Sequence, residues 1–186
     1  KSITFIDIIL SFFSGILSSI LVAGILPIFE NLFNIVTSMK LLELINPEHP
    51  LLRKLVVEAP GTYNHSLMVA NLSEAASDAI GANSLLTRVS AYYHDIGKTG
   101  RPYFFKENQV GNKNPHDRID PLTSANIIFS HVKYGLQLAR EYGLPKFVEH
   151  AIEGHHANTL VKYFYIMAKK NAEDPDLIKE KDFRYG

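Results

Sequence analysis

Hydrophobic and polar positions along this chain fall into two regimes. From Ile8 to Phe29 there are 22 consecutive uncharged residues, IILSFFSGILSSILVAGILPIF. At 1.5 Å rise per residue a helix of this length reaches about 33 Å, enough for a hydrocarbon core of about 30 Å. Ser11, Ser14, Gly15, Ser18 and Ser19 interrupt the run, and small residues so placed let membrane helices approach closely. Residues 1–30 therefore predict a transmembrane helix. Because the chain opens on Lys1, that helix is expected to be the last span of a longer membrane protein. Leu32, Phe33, Ile35, Val36, Met39, Leu42 and Ile45 continue at helical spacing, which predicts a juxtamembrane connector helix over 31–49. Asn46-Pro47-Glu48-His49-Pro50 breaks it, and a domain boundary is expected there.

Beyond residue 50 the apolar period stays near 3.6 and no period-2 strand stands out. Helices are predicted from Pro50 to Glu58 and from Pro60 to Ile80, the second stopped by Gly81. A third runs from a cap at Asn83 or Ser84 to Ile96, with Gly97 as its stop. Residues 98–120, rich in Gly, Pro and Asn, read as a long loop of the kind that carries function. Further helices are expected at Pro121–His131, Val132–Tyr142, Pro145–His156 and Thr159–Asn171. The fold class is all-α: a helical bundle over 50–186, preceded by one transmembrane helix.

Composition sharpens this. The 186 residues carry 19 basic and 19 acidic side chains, so no basic field favours a nucleic acid polymer as partner. The chain has no cysteine and eight histidines; any metal must be held by imidazole and carboxylate, a donor set that suits Fe, Mn, Zn or Ni. Lys40, Arg53 and Lys54 follow the apolar run. By the positive-inside rule they place the bundle in the cytoplasm, beneath a lipid membrane.

The histidines carry the candidate chemistry. His94-Asp95 ends an apolar helix and is followed by Ile96-Gly97-Lys98. One turn can offer an imidazole and a carboxylate to a metal, and a carboxylate can bridge two ions. Lys98 adds a cation where a phosphate would sit. His155-His156 is a second adjacent pair, His65 lies inside an amphipathic helix, and His131 lies near a helix end. A single His on a helix is ordinarily structural, and His49, His116 and His150 are read that way.

The order H…HD…H…HH, with 29 residues from His65 to His94, 36 from Asp95 to His131 and 24 from His131 to His155, resembles the HD-domain metal phosphohydrolases. The local contexts PGTYNHS, YHDIGK, NPHDR and GHH, together with the preceding span, resemble the seven-transmembrane branch that cleaves cyclic di-AMP. What the resemblance implies is specific. Two divalent transition metals, iron or manganese, would be held by His65, His94 and Asp95 on one side. Asp95 would bridge to a second ion completed by His131, His155 and His156. Two ions activating a water between them would open a phosphodiester of cyclic di-AMP to give pApA, with Asp95 and Lys98 catalytic. The resemblance also implies upstream transmembrane and extracytoplasmic regions, and a homodimer is a further expectation. The family places one more Asp ligand well after the HH pair; Asp174, Asp176 and Asp182 do not stand in its usual context, so the first metal site reads as incomplete within these residues.

The loop at 98–120 brings Lys98, Arg101, Lys106, Lys113 and Arg118 among Tyr103, Phe104 and Phe105. Lys98, Arg101 and Arg118 are the candidate substrate contacts. The aromatics either stack on bases or pin the loop to the core. Two other functions remain open: an HD hydrolase of nucleotides or ppGpp, and a non-catalytic receptor for cyclic dinucleotides.

Overall fold

The computed structural model describes residues 4–33, 35–111 and 113–186. It divides into two compact units between Thr37 and Ser38. The first holds α1 (Phe5–Phe33), in which Phe5–Glu30 is long and apolar enough to cross a membrane, with a mean hydropathy of 2.3 and none of its window buried.

The second unit holds the remaining helices: α2 (Ser38–Leu44), α3 (Pro50–Glu58), α4 (Pro60–Ala79), α5 (Ser84–Tyr93), α6 (Pro121–Glu141), α7 (Lys146–Gly154) and α8 (Lys162–Asn171). Among the described residues there is no strand, only an isolated antiparallel bridge between Leu160 and Arg184. The expected break at 46–50 separates α2 from α3, but α2 belongs to the bundle. Leu41 and Leu44 are buried, and the buried Tyr93 hydroxyl donates to the Leu44 carbonyl at 2.7 Å. Burial of such side chains stabilises by about 1.5–3 kcal/mol each, which is why the connector packs rather than stands alone.

Helix starts follow local chemistry. His49 caps α3 with Nδ1 accepting from the Leu51 amide, Asn83 caps α5 through the Leu86 amide, and Asp120 caps α6 through the Thr123 amide. Each satisfies a donor that the helix itself leaves unpaired.

Three predicted boundaries shift. Residues 121–141 form one helix instead of two, because nothing between His131 and Val132 interrupts the backbone ladder; His131 is thus mid-helix. α5 ends at Tyr93, and the chain tightens into a 3-10 turn at Ile96–Gly100. α8 begins at Lys162 rather than Thr159, since the preceding residues pair with the tail at 183–185. The segment 98–120 is a chain of 3-10 turns: Pro102–Phe104, Lys106–Asn108 and Pro115–Arg118.

The pairs α4–α5, α5–α7, α6–α7 and α6–α8 pack together, and the turn at 96–100 lies against α6. Gly97 explains that last contact. A Cβ there would lie 1.8 Å from the His131 carbonyl oxygen. Its role is close backbone approach, beyond the helix stop that the sequence suggested.

Candidate metal centre

Asp95 sits at the middle of the site, 3% exposed, between the end of α5 and the turn that follows. Two groups of side chains share it: Asp95 with His131, His155 and His156, and Asp95 with His65 and His94. In each group the donor atoms lie within 4.8 Å of one another. The six residues picked from the sequence as ligands therefore meet in space, drawn from α4, α5, α6 and the end of α7.

The imidazoles are oriented by their own helices. Nδ1 of His94 lies 2.7 Å from the Ala91 carbonyl, Nδ1 of His131 2.5 Å from that of Ile128, and Nδ1 of His155 2.9 Å from that of Ile152. A carbonyl only accepts, so each Nδ1 carries the proton and each Nε2 presents a lone pair, the arrangement metal-ligating histidines use. Those Nε2 atoms crowd Asp95. His94 Nε2 is 3.1 Å from Oδ2, and His131 and His155 Nε2 are each 3.5 Å from Oδ1.

This donor set fits a cation. Asp95 Oδ1 is buried without a hydrogen-bond partner, a costly state for a carboxylate oxygen. His131 Nε2 and His155 Nε2 face each other at 3.3 Å, and with both Nδ1 atoms protonated their lone pairs repel. A divalent ion among these atoms relieves both problems.

Electrostatics agree. Burial pushes the Asp95 carboxyl up, but the hydrogen bonds that a protonated Nε2 of His155 or His94 would donate, and the charge of Lys98, outweigh that and hold it well below the usual carboxylate range. Against the effect of burial, Asp95 in turn holds His94 above its ordinary value, so a proton competes with a cation for that Nε2. Burial lowers His131 to about 4. It lowers His156 likewise to about 4, helped by neighbouring His155 and His131. Both are neutral near pH 7, as ligands must be.

The substrate-contact candidates fare differently. Lys98, whose side chain is 13% exposed, is ion-paired to Asp95 Oδ2 at 2.8 Å and Glu107 Oε1 at 2.7 Å. It also lies 5.1 Å over the Phe105 ring. Arg101 lines a cavity of about 380 Å³ together with His131, Phe105 and Tyr134. Arg118 is exposed at the end of its turn. Phe105 is buried and sets its ring edge-on to His131 at 5.6 Å, so it pins the loop; Tyr103 is 69% exposed. Buried His116 pins it too, with Nε2 at 3.0 Å from the Phe104 carbonyl.

Sequence reasoning missed two neighbours. Glu107 is the second counter-ion of Lys98 and also accepts from the Thr62 hydroxyl at 3.1 Å; nothing in its local pattern marks it. Tyr185 stacks on His156, ring centroids 4.1 Å apart. Phe183 and Tyr185 alternate in an otherwise polar tail, a faint period-2 signal.

The HD domain family profile matches residues 62–181, the stretch that supplies all six clustered residues. The chain belongs to the HD-domain family. This HD domain is similar to known proteins over most of its length. It is 55% identical over 172 residues to the cyclic-di-AMP phosphodiesterase PgpH of Bacillus subtilis, covering 92% of the chain and 24% of the relative. Against PgpH of Listeria monocytogenes it is 51% identical over 175 residues, covering 94% of the chain and again 24% of the relative. The chain thus spans about a quarter of the length of these relatives. The crystal structure of the L. monocytogenes PgpH HD domain in complex with cyclic-di-AMP superposes with a TM-score of 0.71 at 53% identity, covering 76% of this chain and 64% of the other.

Proposed function

We propose that this HD domain is the catalytic part of a membrane-anchored, metal-dependent phosphodiesterase that hydrolyses cyclic di-AMP to pApA. The observation that carries the reading is the pair of donor groups sharing buried Asp95 in a chain so similar to two cyclic-di-AMP phosphodiesterases. Support for the substrate comes from the similar HD domain crystallised with cyclic-di-AMP.

Two divalent ions, iron or manganese, held by His65, His94 and Asp95 and by Asp95, His131, His155 and His156, would supply Lewis acidity for water activation and charge neutralisation at phosphorus. The chain's own residues do the rest. Ala91, Ile128 and Ile152 carbonyls fix three imidazole tautomers, so the Nε2 lone pairs are aimed before anything binds. Asp95 stays ionised and central. Lys98 brings a nearly buried ammonium beside Asp95, where it meets a phosphoryl oxygen more strongly than it would in open water. Arg101 stands at the cavity beyond His131, in reach of a second phosphate or a base. α1 anchors the domain in the membrane with residues 50–186 on the cytoplasmic side; its apolar length and the Lys40, Arg53 and Lys54 charges support this.

The test is incubation of the chain with cyclic di-AMP, cyclic di-GMP and ppGpp, each with added Mn²⁺ or Fe²⁺, followed by product chromatography. Cyclic di-AMP converted to pApA, with Asp95→Ala inactive and its circular dichroism unchanged, is the expected result. Cleavage of ppGpp instead, or binding of the dinucleotide with no cleavage under either metal, would overturn it.

A further inference from the structure

Immediately after the His155-His156 pair the backbone makes an unfavourable turn. Ala157 has a positive φ of 47°, a conformation that costs a residue with a Cβ. What holds this turn is a segment far along the chain. Phe183, 2% exposed, is sunk into a small cluster with Ala125 and Ala168. From that anchor the chain runs antiparallel to residues 159–161. The Val161 amide donates to the Phe183 carbonyl at 2.8 Å, and the Tyr185 amide donates to the Thr159 carbonyl at 3.1 Å. Arg184 adds a guanidinium hydrogen bond to the Asn158 carbonyl at 2.8 Å. Asn158, Thr159 and Val161, at the exit of the strained turn, are thereby tied to the tail.

The tie ends on the site itself. The Tyr185 ring lies nearly parallel to the His156 imidazole, at 21° and 4.1 Å between centroids. Its other side is fixed edge-on against Phe129 of α6 at 4.8 Å, and His131 is 6.2 Å away. His94, His131 and His155 each have a carbonyl to fix their rings. The His156 ring meets three others: His155 at 4.0 Å, His131 edge-on at 5.2 Å, and Tyr185, which of the three is not itself a candidate ligand.

We propose that residues 183–185 form a clip that fixes the His155-His156 turn, with Tyr185 as a positioning residue that orients the His156 imidazole ahead of metal. The proposal rests on the reading of His156 as a ligand. Holding a ligand's ring in advance removes part of the ordering cost of binding, and such outer contacts are worth roughly 10–100-fold in metal affinity. The stack needs an aromatic ring and not the hydroxyl, which separates this role from proton transfer.

The experiment uses the full 186-residue chain in detergent, with ¹³C-labelled histidine rings. Wild type, Tyr185→Phe and Tyr185→Leu are compared, Phe183 being kept in all three so that the anchor is untouched. In the metal-free protein the His156 ring protons of wild type and Tyr185→Phe should show an upfield ring-current shift, which Tyr185→Leu loses. Co²⁺ titration followed by its visible absorption should then show Tyr185→Leu binding about tenfold more weakly at one ion, with Tyr185→Phe near wild type. If Tyr185→Leu does not fold, Arg184→Ala, which removes the tie to Asn158 along with the ion pair to Glu180 within the tail, should show the same loss in smaller measure. Equal Co²⁺ affinity in wild type and Tyr185→Leu overturns the clip, as does a Tyr185→Phe variant as weak as Tyr185→Leu. A wild-type chain that takes up no Co²⁺ is a different result: it overturns the ligand reading of His156, and the clip with it.

Discussion

Gly97 and His131 meet backbone to backbone, 34 residues apart in sequence. A methyl group on Gly97 would stand 1.8 Å from the His131 carbonyl oxygen and 2.5 Å from the Gly135 amide nitrogen. Neither obstacle is a flexible side chain, so nothing can give way cheaply. This contact is what brings Asp95, two residues before Gly97, to within 3.5 Å of His131 Nε2.

Gly97→Ala should therefore separate the two halves of the site. The expected loss of stability is about 3 kcal/mol, from backbone overpacking, with metal uptake lost alongside. Gly154→Ala, where an added Cβ meets nothing within 4 Å, is the matched control and should keep both. Urea denaturation and elemental analysis of the two variants check this; a stable Gly97→Ala chain with wild-type metal content would contradict the close-approach argument.

Metal occupancy should be unequal. One group offers four residues and the other three, and a site with fewer protein donors holds a divalent ion less tightly. After dialysis without chelator the chain should retain nearer one ion than two, and excess Mn²⁺ should restore the second. Elemental analysis per chain, before and after, is the measurement. Two ions that resist dialysis would mean that another residue supplies the missing donor.

A pH dependence follows from His116, away from the metal groups. Burial holds its imidazole below the ordinary value of 6.5, outweighing its contact with the Phe104 carbonyl. The folded chain therefore binds fewer protons there than the unfolded chain. Its contribution to stability is complete above the unfolded value and is lost as pH falls through the folded one. Thermal unfolding midpoints between pH 7.5 and pH 5, with pH the only variable, should fall less steeply for His116→Gln than for wild type. Parallel slopes would remove His116 from the account.

The apolar helix makes a simple physical prediction. With 26 residues at a mean hydropathy of 2.3 and none of its window buried, α1 should carry the full chain to the top of a flotation gradient with phospholipid vesicles. A chain starting at Ser38 should stay at the bottom. Sedimentation of the full chain as a monomer in plain buffer would show instead that α1 is a core helix, covered by the rest of its own chain.

Much was legible without coordinates, for reasons that can be named. The long apolar helix was legible because 22 uncharged residues in a row have few other solutions. The six clustered residues were legible because these histidines and Asp95 stand out near helix ends and on helical faces, and because their order and local contexts resemble those of the HD-domain family. Helix starts at Pro50, Pro60 and Pro121 were legible because proline at the first helical position, joined by a capping side chain before Pro50 and Pro121, acts within a turn. What tertiary structure alone decided are relations between distant segments. Helical periodicity cannot say whether α2 joins the bundle; the hydrogen bond from Tyr93 to the Leu44 carbonyl does. A glycine reads as a helix stop until the opposing backbone is known, and Gly97 faces one 34 residues away. Sequence marks Lys98 as a cation close to Asp95, but its second counter-ion, Glu107, is brought beside it only by the contact between residues 61–62 and 107–108. Tyr185 acquires its place on His156 only through the Phe183 anchor and the bridge at Leu160. Local sequence fixes what a residue prefers within a turn or two, whereas the partner it meets depends on where the rest of the chain packs.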